Sequence, residues 1–502
     1  MKKYKTPQAL LLVIGLFLLA SAVPTLVGCA SEEPSLRRVI GVIAGDAYAL
    51  DDASQKEMQR LRQAVAARAP GADASAALAH FGDAFKRVRA GYVREITEAE
   101  LIDGAIKGID EMKPGADATP ESVVEAGLHS MVASLDPHSA YLNPVEFRES
   151  FVSTKGEFGG IGIEVSAEDG VVKVVAPIED TPAHRVGLRS GDLITHVDGD
   201  SIKGKGLMHA VNRMRGEPGT RIRLRIDRAG NVFDVTLVRA VVQVRSVRWH
   251  LEGNIAYIRV VRFTEGVESK VEFAMKELRA RLGKSARGVV LDLRNNPGGL
   301  LDQSVSVADM FLDRGTIVSV RGRRGPGRSY EAEHGDLARG LPMVVLINGG
   351  SASASEIVAS ALQHNGRATV MGGRSFGKGS VQTITPLPSE GALRLTTALY
   401  YGPDGHTLQA RGIAPDIVLE PDEKPAAGDA EAEIKRRKRE ADLPGAIAGE
   451  KGGAEATRPK VPEKNCRPVG DKKDMALGCA LQFLAAGSTE KFLAQLAQRP
   501  AM

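Results

Sequence analysis

Between residues 255 and 371 short apolar runs alternate with segments whose apolar residues recur at helical spacing, and this alternation restricts the fold more than any other feature. The runs at 255–261, 289–293, 316–320, 343–347 and 369–371 are apolar and rich in β-branched residues, which predicts strands. The stretches 267–282, 301–312 and 355–364 between them predict helices. Parallel strands need crossover connections, so an α/β layer with a partly parallel sheet is expected over 241–421. In such sheets chemistry gathers where strands run out into helices, here at 294–299 and 348–353.

Both exits are rich in glycine. The second reads Asn348-Gly349-Gly350-Ser351-Ala352-Ser353-Ala354-Ser355-Glu356 and places Ser353 at a helix entrance, where the free N–H groups and the helix dipole favour developing negative charge. Serines at such positions also serve as helix caps, and spacing alone does not separate the two roles. Twenty-five residues beyond Ser353 stands Lys378, in Ser375-Phe376-Gly377-Lys378-Gly379-Ser380-Val381-Gln382. A serine hydroxyl is a poor nucleophile until a neighbour takes its proton. Lysine can do so only as the neutral amine, which requires its usual pKa of about 10.4 to fall to roughly 7 or 8 through desolvation or a nearby cation. The first exit, Arg294-Asn295-Asn296-Pro297-Gly298-Gly299, lets a glycine backbone approach a substrate closely. The N–H of Gly298 or Gly299, with that of Ala354, is a candidate oxyanion hole; glycine there also suits a simple β–α turn.

At 502 residues the chain exceeds one ordinary core and predicts several domains. Its formal net charge of +4 is small for that length, and the basic runs at 321–328 and 435–439 lack interleaved aromatics, so nucleic acid is not an expected partner. Lys2, Lys3 and Lys5 precede an apolar stretch at 9–23, too short for the about 20 residues that span a bilayer and suited to an export signal. The following Leu26-Val27-Gly28-Cys29 resembles a bacterial lipobox, which implies lipidation of Cys29 and an extracytoplasmic, membrane-anchored protein. The signal then covers 1–29 and a variable tether 30–76. Helix-spaced apolar residues, Phe81, Phe85 and Val88 among them, predict a helical unit at 77–150 that ends in Leu135-Asp136-Pro137-His138-Ser139-Ala140-Tyr141-Leu142. A charged linker at 422–465 and a final helical segment at 466–502 complete the chain. Cys466 and Cys479 are candidates for a disulfide, which an oxidising compartment permits.

Residues 156–240 open on Gly159-Gly160-Ile161-Gly162-Ile163 and continue through short strands, a Gly-Leu-Arg-Ser-Gly-Asp turn and a short helix. The pattern looks like a PDZ domain. That resemblance implies that the loop Gly159 to Gly162 offers N–H groups to a terminal carboxylate while Ile161 and Ile163 line the pocket for the last side chain. Together with Asp292 to Gly299, Gly350 to Glu356, Phe376 to Gln382 and Gln409-Ala410-Arg411-Gly412-Ile413-Ala414-Pro415-Asp416, it resembles the C-terminal processing peptidases, also called tail-specific proteases. The resemblance covers about 81–420 and implies a multidomain α/β architecture, with an N-terminal helical segment, a PDZ-like α+β domain and a ClpP/crotonase-like protease core. It implies Ser353 as nucleophile, Lys378 as base and Gln382 as the residue that orients the lysine. The stretch 400–406 departs from the family pattern.

The function expected from the resemblance is endopeptidase cleavage near unstructured, apolar C-terminal tails of envelope proteins, gated by the PDZ domain. No metal or organic cofactor is expected. The expected partners are tail-bearing proteins, an adaptor, the membrane through the anchor, and further copies of the chain. Three rivals are weaker. A histidine base would need one of His80, His129, His138, His184, His196, His209, His250, His334, His364 or His406 beside the serine, and most have another explanation: His80 and His129 lie on the N-terminal helices, His138 in a turn, His184 to His209 in the PDZ-like unit and His364 at a helix end. The run Gly372 to Lys378 matches a phosphate loop but is followed by Gly379 where the metal-binding hydroxyl belongs. A catalytically silent PDZ scaffold does not need serine, lysine and glutamine kept at this spacing.

Overall fold

The computed structural model describes residues 52–113, 118–168, 170–243, 245–333, 335–421, 439–450, 457–471 and 473–498. The export signal and Cys29 lie outside them, and among the described residues no helix is long and apolar enough to cross a membrane.

The core is a seven-stranded sheet in the order Val247–Glu252, Ile255–Val260, Gly288–Asp292, Met343–Ile347, Thr369–Gly372, Ile417–Glu420 and Lys460–Pro462. Only the first pair is antiparallel; every later pairing is parallel. The central strands are continuous apolar runs because both faces are covered. Val289, Leu291, Val345 and Ile347 face the helices Val267–Leu282, Leu301–Asp309 and Ala354–His364, whereas Val290, Val344 and Leu346 face Met475–Ala486 and Thr489–Ala497. The last two helices were expected as one segment. Gly487, at φ +79°, ends the first, and Ser488 caps the second by accepting from Lys491 N–H.

Two ordered features lie where a tether and a linker were expected. Asp52–Arg68 is helical and places Met58, Leu61 and Val65 in one core with the helices Glu98–Asp110 and Pro120–Ala133, so the helical unit begins upstream of residue 77. In the 422–465 stretch, residues 439–450 and 457–465 are ordered, and Lys460–Pro462 pairs in parallel with Ile417–Glu420. The sequence pattern also gave no sign of an antiparallel sheet built around Ala392–Tyr401, which pairs with Ala140–Leu142, Thr316–Gly322 and Ser380–Pro386. Its Leu393 and Leu395 enter the core of the helical unit, which joins that unit to the protease core.

The PDZ-like unit is a sheet in the order Ile163–Glu168, Val171–Pro177, Leu193–Val197, Arg221–Arg228 and Asn231–Val238, with Ile163–Glu168 at its edge. A pocket beside that edge is lined by Phe158, Gly160, Ile161, Gly162, Ile163, Val165, Val211, Met214 and Arg215. Gly162 adopts φ +79° against Thr181, a position closed to a Cβ. Gly159, expected in the loop that meets a peptide, is not part of the lining. It packs on Gly216, whose N–H donates to its carbonyl at 3.1 Å.

Candidate active site

The strand Met343–Ile347 ends at Asn348, whose Oδ1 accepts from Gly350 N–H at 3.0 Å and Asn295 N–H at 2.9 Å, binding the two glycine-rich exits together. Three serines follow, and the structure separates their roles. Ser351 Oγ donates to Leu293 O and Ser355 Oγ to Asn296 O, both at 2.8 Å, and both residues are fully buried. These two hydroxyls fasten the helix entrance to the neighbouring loop. Ser353, between them, retains some exposure and has φ +55°, ψ −116°, a conformation that L residues avoid and that persists only where the surroundings enforce it. Such strain gathers at functional sites.

Gly298 lies directly against this turn. A Cβ on it would stand 2.8 Å from Ser353 Cβ and 3.0 Å from Ala354 N, so only glycine allows the approach. Its own N–H donates to Asn296 Oδ1 at 2.9 Å and is occupied in this conformation. The N–H groups of Gly299 and Ala354 have no hydrogen-bond acceptor among the described residues. The N–H groups left unoccupied at this turn are therefore those of Gly299 and Ala354, and Gly298 supplies the close approach.

Glu356, to which the sequence pattern assigns no role, is the centre of the site. It sits on the first turn of the helix with no exposure. Its Oε2 accepts from Ser353 N–H at 2.7 Å and Lys378 N–H at 2.9 Å; its Oε1 accepts from Ser375 Oγ at 2.5 Å and Gly377 N–H at 2.7 Å. One carboxylate oxygen thus holds the backbones of Ser353 and Lys378 together. Burial pushes the Glu356 carboxyl up to about 7, and its four hydrogen bonds oppose that rise. With Ser375 Oγ accepting from Ile413 N–H, its proton is directed to Glu356, so all four partners are donors and the geometry fits the ionised carboxylate.

Lys378 is held by a chain of polar groups. Its Nζ donates to Gln382 Oε1, and no hydrogen bond joins it to Ser353 Oγ in this conformation. Gln382 Nε2 donates to Ser380 Oγ at 2.9 Å and Thr396 Oγ1 at 3.3 Å, and Thr396 Oγ1 donates to Asp136 Oδ1 at 3.0 Å. Asp136 also accepts from the N–H groups of His138 and Ser139, which accounts for the Leu135 to Leu142 motif: it ends a relay that begins at the lysine. Burial pushes the Lys378 amine down to about 8. Glu440, Glu356 and Asp136 oppose the shift, and Arg394 adds to it. That value lies in the range needed for a general base near neutral pH.

At the opposite end of the same loop, Arg294 forms paired hydrogen bonds with Asp292 and with Asp474, the cap of helix Met475–Ala486. A disulfide between Cys466 and Cys479, with Cα atoms 5.1 Å apart, braces that helix. Sequence spacing does not single out Asp474, Thr396 or Glu440, and it gives Gln409 no link to the lysine loop. Each is far along the chain from the residue it supports, and only the last motif, Gln409 to Asp416, carries any signal. Among the described residues no cluster of side chains could hold a metal ion.

Known proteins share this organisation. Residues 254–419 match the model of peptidase family S41, and residues 159–238 match a PDZ domain model. The chain is 49% identical over 347 residues to a carboxy-terminal-processing protease of Bartonella bacilliformis, covering 68% of this chain and 75% of that one. It is 32% identical over 341 residues to the carboxy-terminal processing protease CtpA of Bacillus subtilis, covering 67% and 68% of the two chains. A solved photosystem II D1 C-terminal processing protease is 27% identical, covers 68% of this chain and 92% of its own, and superposes with a TM-score of 0.44. With a PDZ-like unit ahead of the S41 core, the chain belongs to the carboxy-terminal-processing serine proteases of peptidase family S41.

Proposed function

We propose that this chain is an exported, lipid-anchored endopeptidase that captures free, apolar C-terminal tails of envelope proteins in its PDZ-like unit and cuts them with Ser353 and Lys378. The observation that carries the reading is the shared Glu356 Oε2, which accepts from the N–H groups of both Ser353 and Lys378 while burial brings the lysine amine to about 8. A tail adds a strand beside Ile163–Glu168, places its last side chain among Ile161, Ile163, Val211 and Met214, and presents its carboxylate to the Gly160 to Gly162 loop. Arg215 lines the same pocket with its guanidinium over the Phe158 ring and its buried Nε without a hydrogen-bond acceptor among the described residues, which suits an anionic terminus.

In the cut, the neutral Lys378 amine takes the Ser353 proton as Oγ bonds to the peptide carbonyl carbon and the carbonyl electron pair moves onto oxygen. The N–H groups of Ala354 and Gly299 receive that oxyanion. Collapse breaks the C–N bond, and the lysine returns the proton to the leaving nitrogen. Water, deprotonated by the same amine, then adds to the acyl carbon, and as the ester C–O bond breaks the lysine returns the proton to Ser353 Oγ. Gln382 keeps the amine aimed. The Cys466–Cys479 disulfide suits an oxidising compartment, consistent with export and with an anchor at Cys29. Delivery by an adaptor and self-association of the chain belong to the same reading.

The test is hydrolysis of a peptide with an apolar free C-terminus, and of its C-terminally amidated twin, by the wild type, Ser353→Ala and Lys378→Ala, with products read by mass spectrometry. The wild type cuts the free peptide upstream of its end and the amidated one poorly, and both variants lose about 10⁴-fold or more in kcat. Full activity in Lys378→Ala removes the lysine mechanism. No cleavage by the wild type returns the scaffold reading.

A further inference from the structure

Residues 439–450 lie beyond the S41 match, in a stretch whose composition reads as linker, yet they form a strap over the loop that carries Lys378. Glu440 is its anchor and has no exposure. Its N–H donates to Phe376 O at 3.1 Å, on one flank of the lysine. Its Oε1 accepts from Gln409 Nε2 at 2.9 Å, and Gln409 Oε1 accepts from Gly379 N–H at 2.9 Å, on the other flank. His138 Nε2 meets both carboxylate oxygens of Glu440, at 2.9 and 2.8 Å. Farther along the strap, Ile447 is buried and its carbonyl accepts from the same Gln409 amide at 3.1 Å. The strap therefore grips the lysine loop from both sides and brings a carboxylate into the buried surroundings of its amine.

A buried carboxylate beside a buried amine has two effects. It keeps the amine from becoming so weak a base that it no longer pulls the serine proton. It also stabilises the ammonium that exists only after that proton has moved, so the benefit falls on the transition state. We propose that Glu440 is a positioning residue for Lys378 that also supplies the counter-charge for its ammonium form. The inference rests on Lys378 being the base. The other charged groups around the amine are the carboxylates of Glu356 and Asp136 and the guanidinium of Arg394, and His138 faces Glu440 itself. Glu356 belongs to the peptidase match and Asp136 to the helical unit, and Glu440 is the acidic group that the strap supplies, its own oxygens met by Gln409 Nε2 and His138 Nε2.

The experiment uses the full chain and the free-C-terminus peptide, with kcat and kcat/KM measured across pH for the wild type, Lys378→Ala, Glu440→Gln and Glu440→Asp. Glu440→Gln keeps the size of the side chain and removes its charge. The expected result is an acid limb displaced by about 0.5 pH unit or more to lower pH, with plateau kcat down about tenfold and KM changed by less than about twofold. Glu440→Asp restores the position of the limb to within about 0.2 unit while kcat stays about threefold low, because the shorter side chain loosens the grip. A merely structural part would lower activity in proportion to the folded fraction with the limb unmoved, and that result overturns the proposal. Should Glu440→Gln not be recovered folded, Glu440→Asp decides: wild-type kcat overturns the proposal. Inactive Lys378→Ala with an unchanged Glu440→Gln profile defeats this inference alone, whereas active Lys378→Ala defeats the lysine reading beneath it.

Discussion

The two halves of the reactive centre are held in different ways. Ser353 is fixed from nearby: its turn is bound to Leu293 and Asn296 through Ser351, Ala352 and Ser355, and all of these belong to the peptidase core. Lys378 is fixed from afar. Its relay runs through Gln382 and Thr396 to Asp136 of the helical unit, and its loop is gripped by Gln409 and Glu440. The contrast teaches that the serine is a property of the core, while the charge and aim of the lysine are set by the whole assembled chain. Loosening a distant element should disturb the base before the nucleophile.

Glu356 is the one group common to both halves, so its loss should be the most damaging of the changes outside the dyad. Glu356→Gln turns an amide N–H₂ toward groups that are themselves donors. It is expected to lower kcat about 10²-fold through misplacement of the reacting groups and to reduce stability by about 2–3 kcal/mol, read by peptide hydrolysis and denaturant titration. An effect on stability without an effect on kcat would break the idea of a shared holder.

The pH profile comes next. On the proposed mechanism the neutral amine is the active form, and with Lys378 near 8 kcat/KM should be highest above that pH and fall about tenfold for each unit below it. A profile with its acid limb near 6.5, the value of an ordinary imidazole, would move the base to a histidine and abolish the contrast between the halves.

The smallest effect sharpens the comparison. Thr396→Val keeps the shape of the residue and cuts the relay between Gln382 and Asp136. It should lower kcat by about three- to fivefold and leave the accessibility of Ser353 unchanged. Equal loss in acylation by a small, activated ester that needs little help from the base would show that the serine half had moved as well.

The same contrast governs what can be read from the chain. The alternating apolar runs and the glycine-rich exits are local, and strand Met343–Ile347 and helix Val267–Leu282 fall where the spacing puts them. Ser353, Lys378 and Gln382 stand in compact motifs, and the roles expected of them come from the family resemblance that those motifs carry. Asp52–Arg68 escapes because its apolar positions are few, Met58, Leu61 and Val65 on a charged helix, and only packing against Glu98–Asp110 and Pro120–Ala133 reveals its buried face. The sheet around Ala392–Tyr401 escapes because its partners come from distant segments, as early as Ala140–Leu142. Glu440 escapes for the strongest reason. It lies in a run of charged and small residues, and nothing in its neighbours points to His138, 302 residues away. Spacing reports faces of single elements; it carries no term for which distant groups share a buried polar centre.

The disulfide has a further consequence for an enzyme whose business is cutting chains. Asp474, which secures Arg294 at the entrance of the glycine loop, lies between Cys466 and Cys479, whose sequence separation is 13. A nick within that interval leaves both fragments joined through sulfur, so the clamp on the glycine loop survives an attack by a neighbouring copy. Reduction of the bond removes this covalent tie, and after a single cut there the terminal helices are held to the sheet by packing and by the Arg294–Asp474 pair alone.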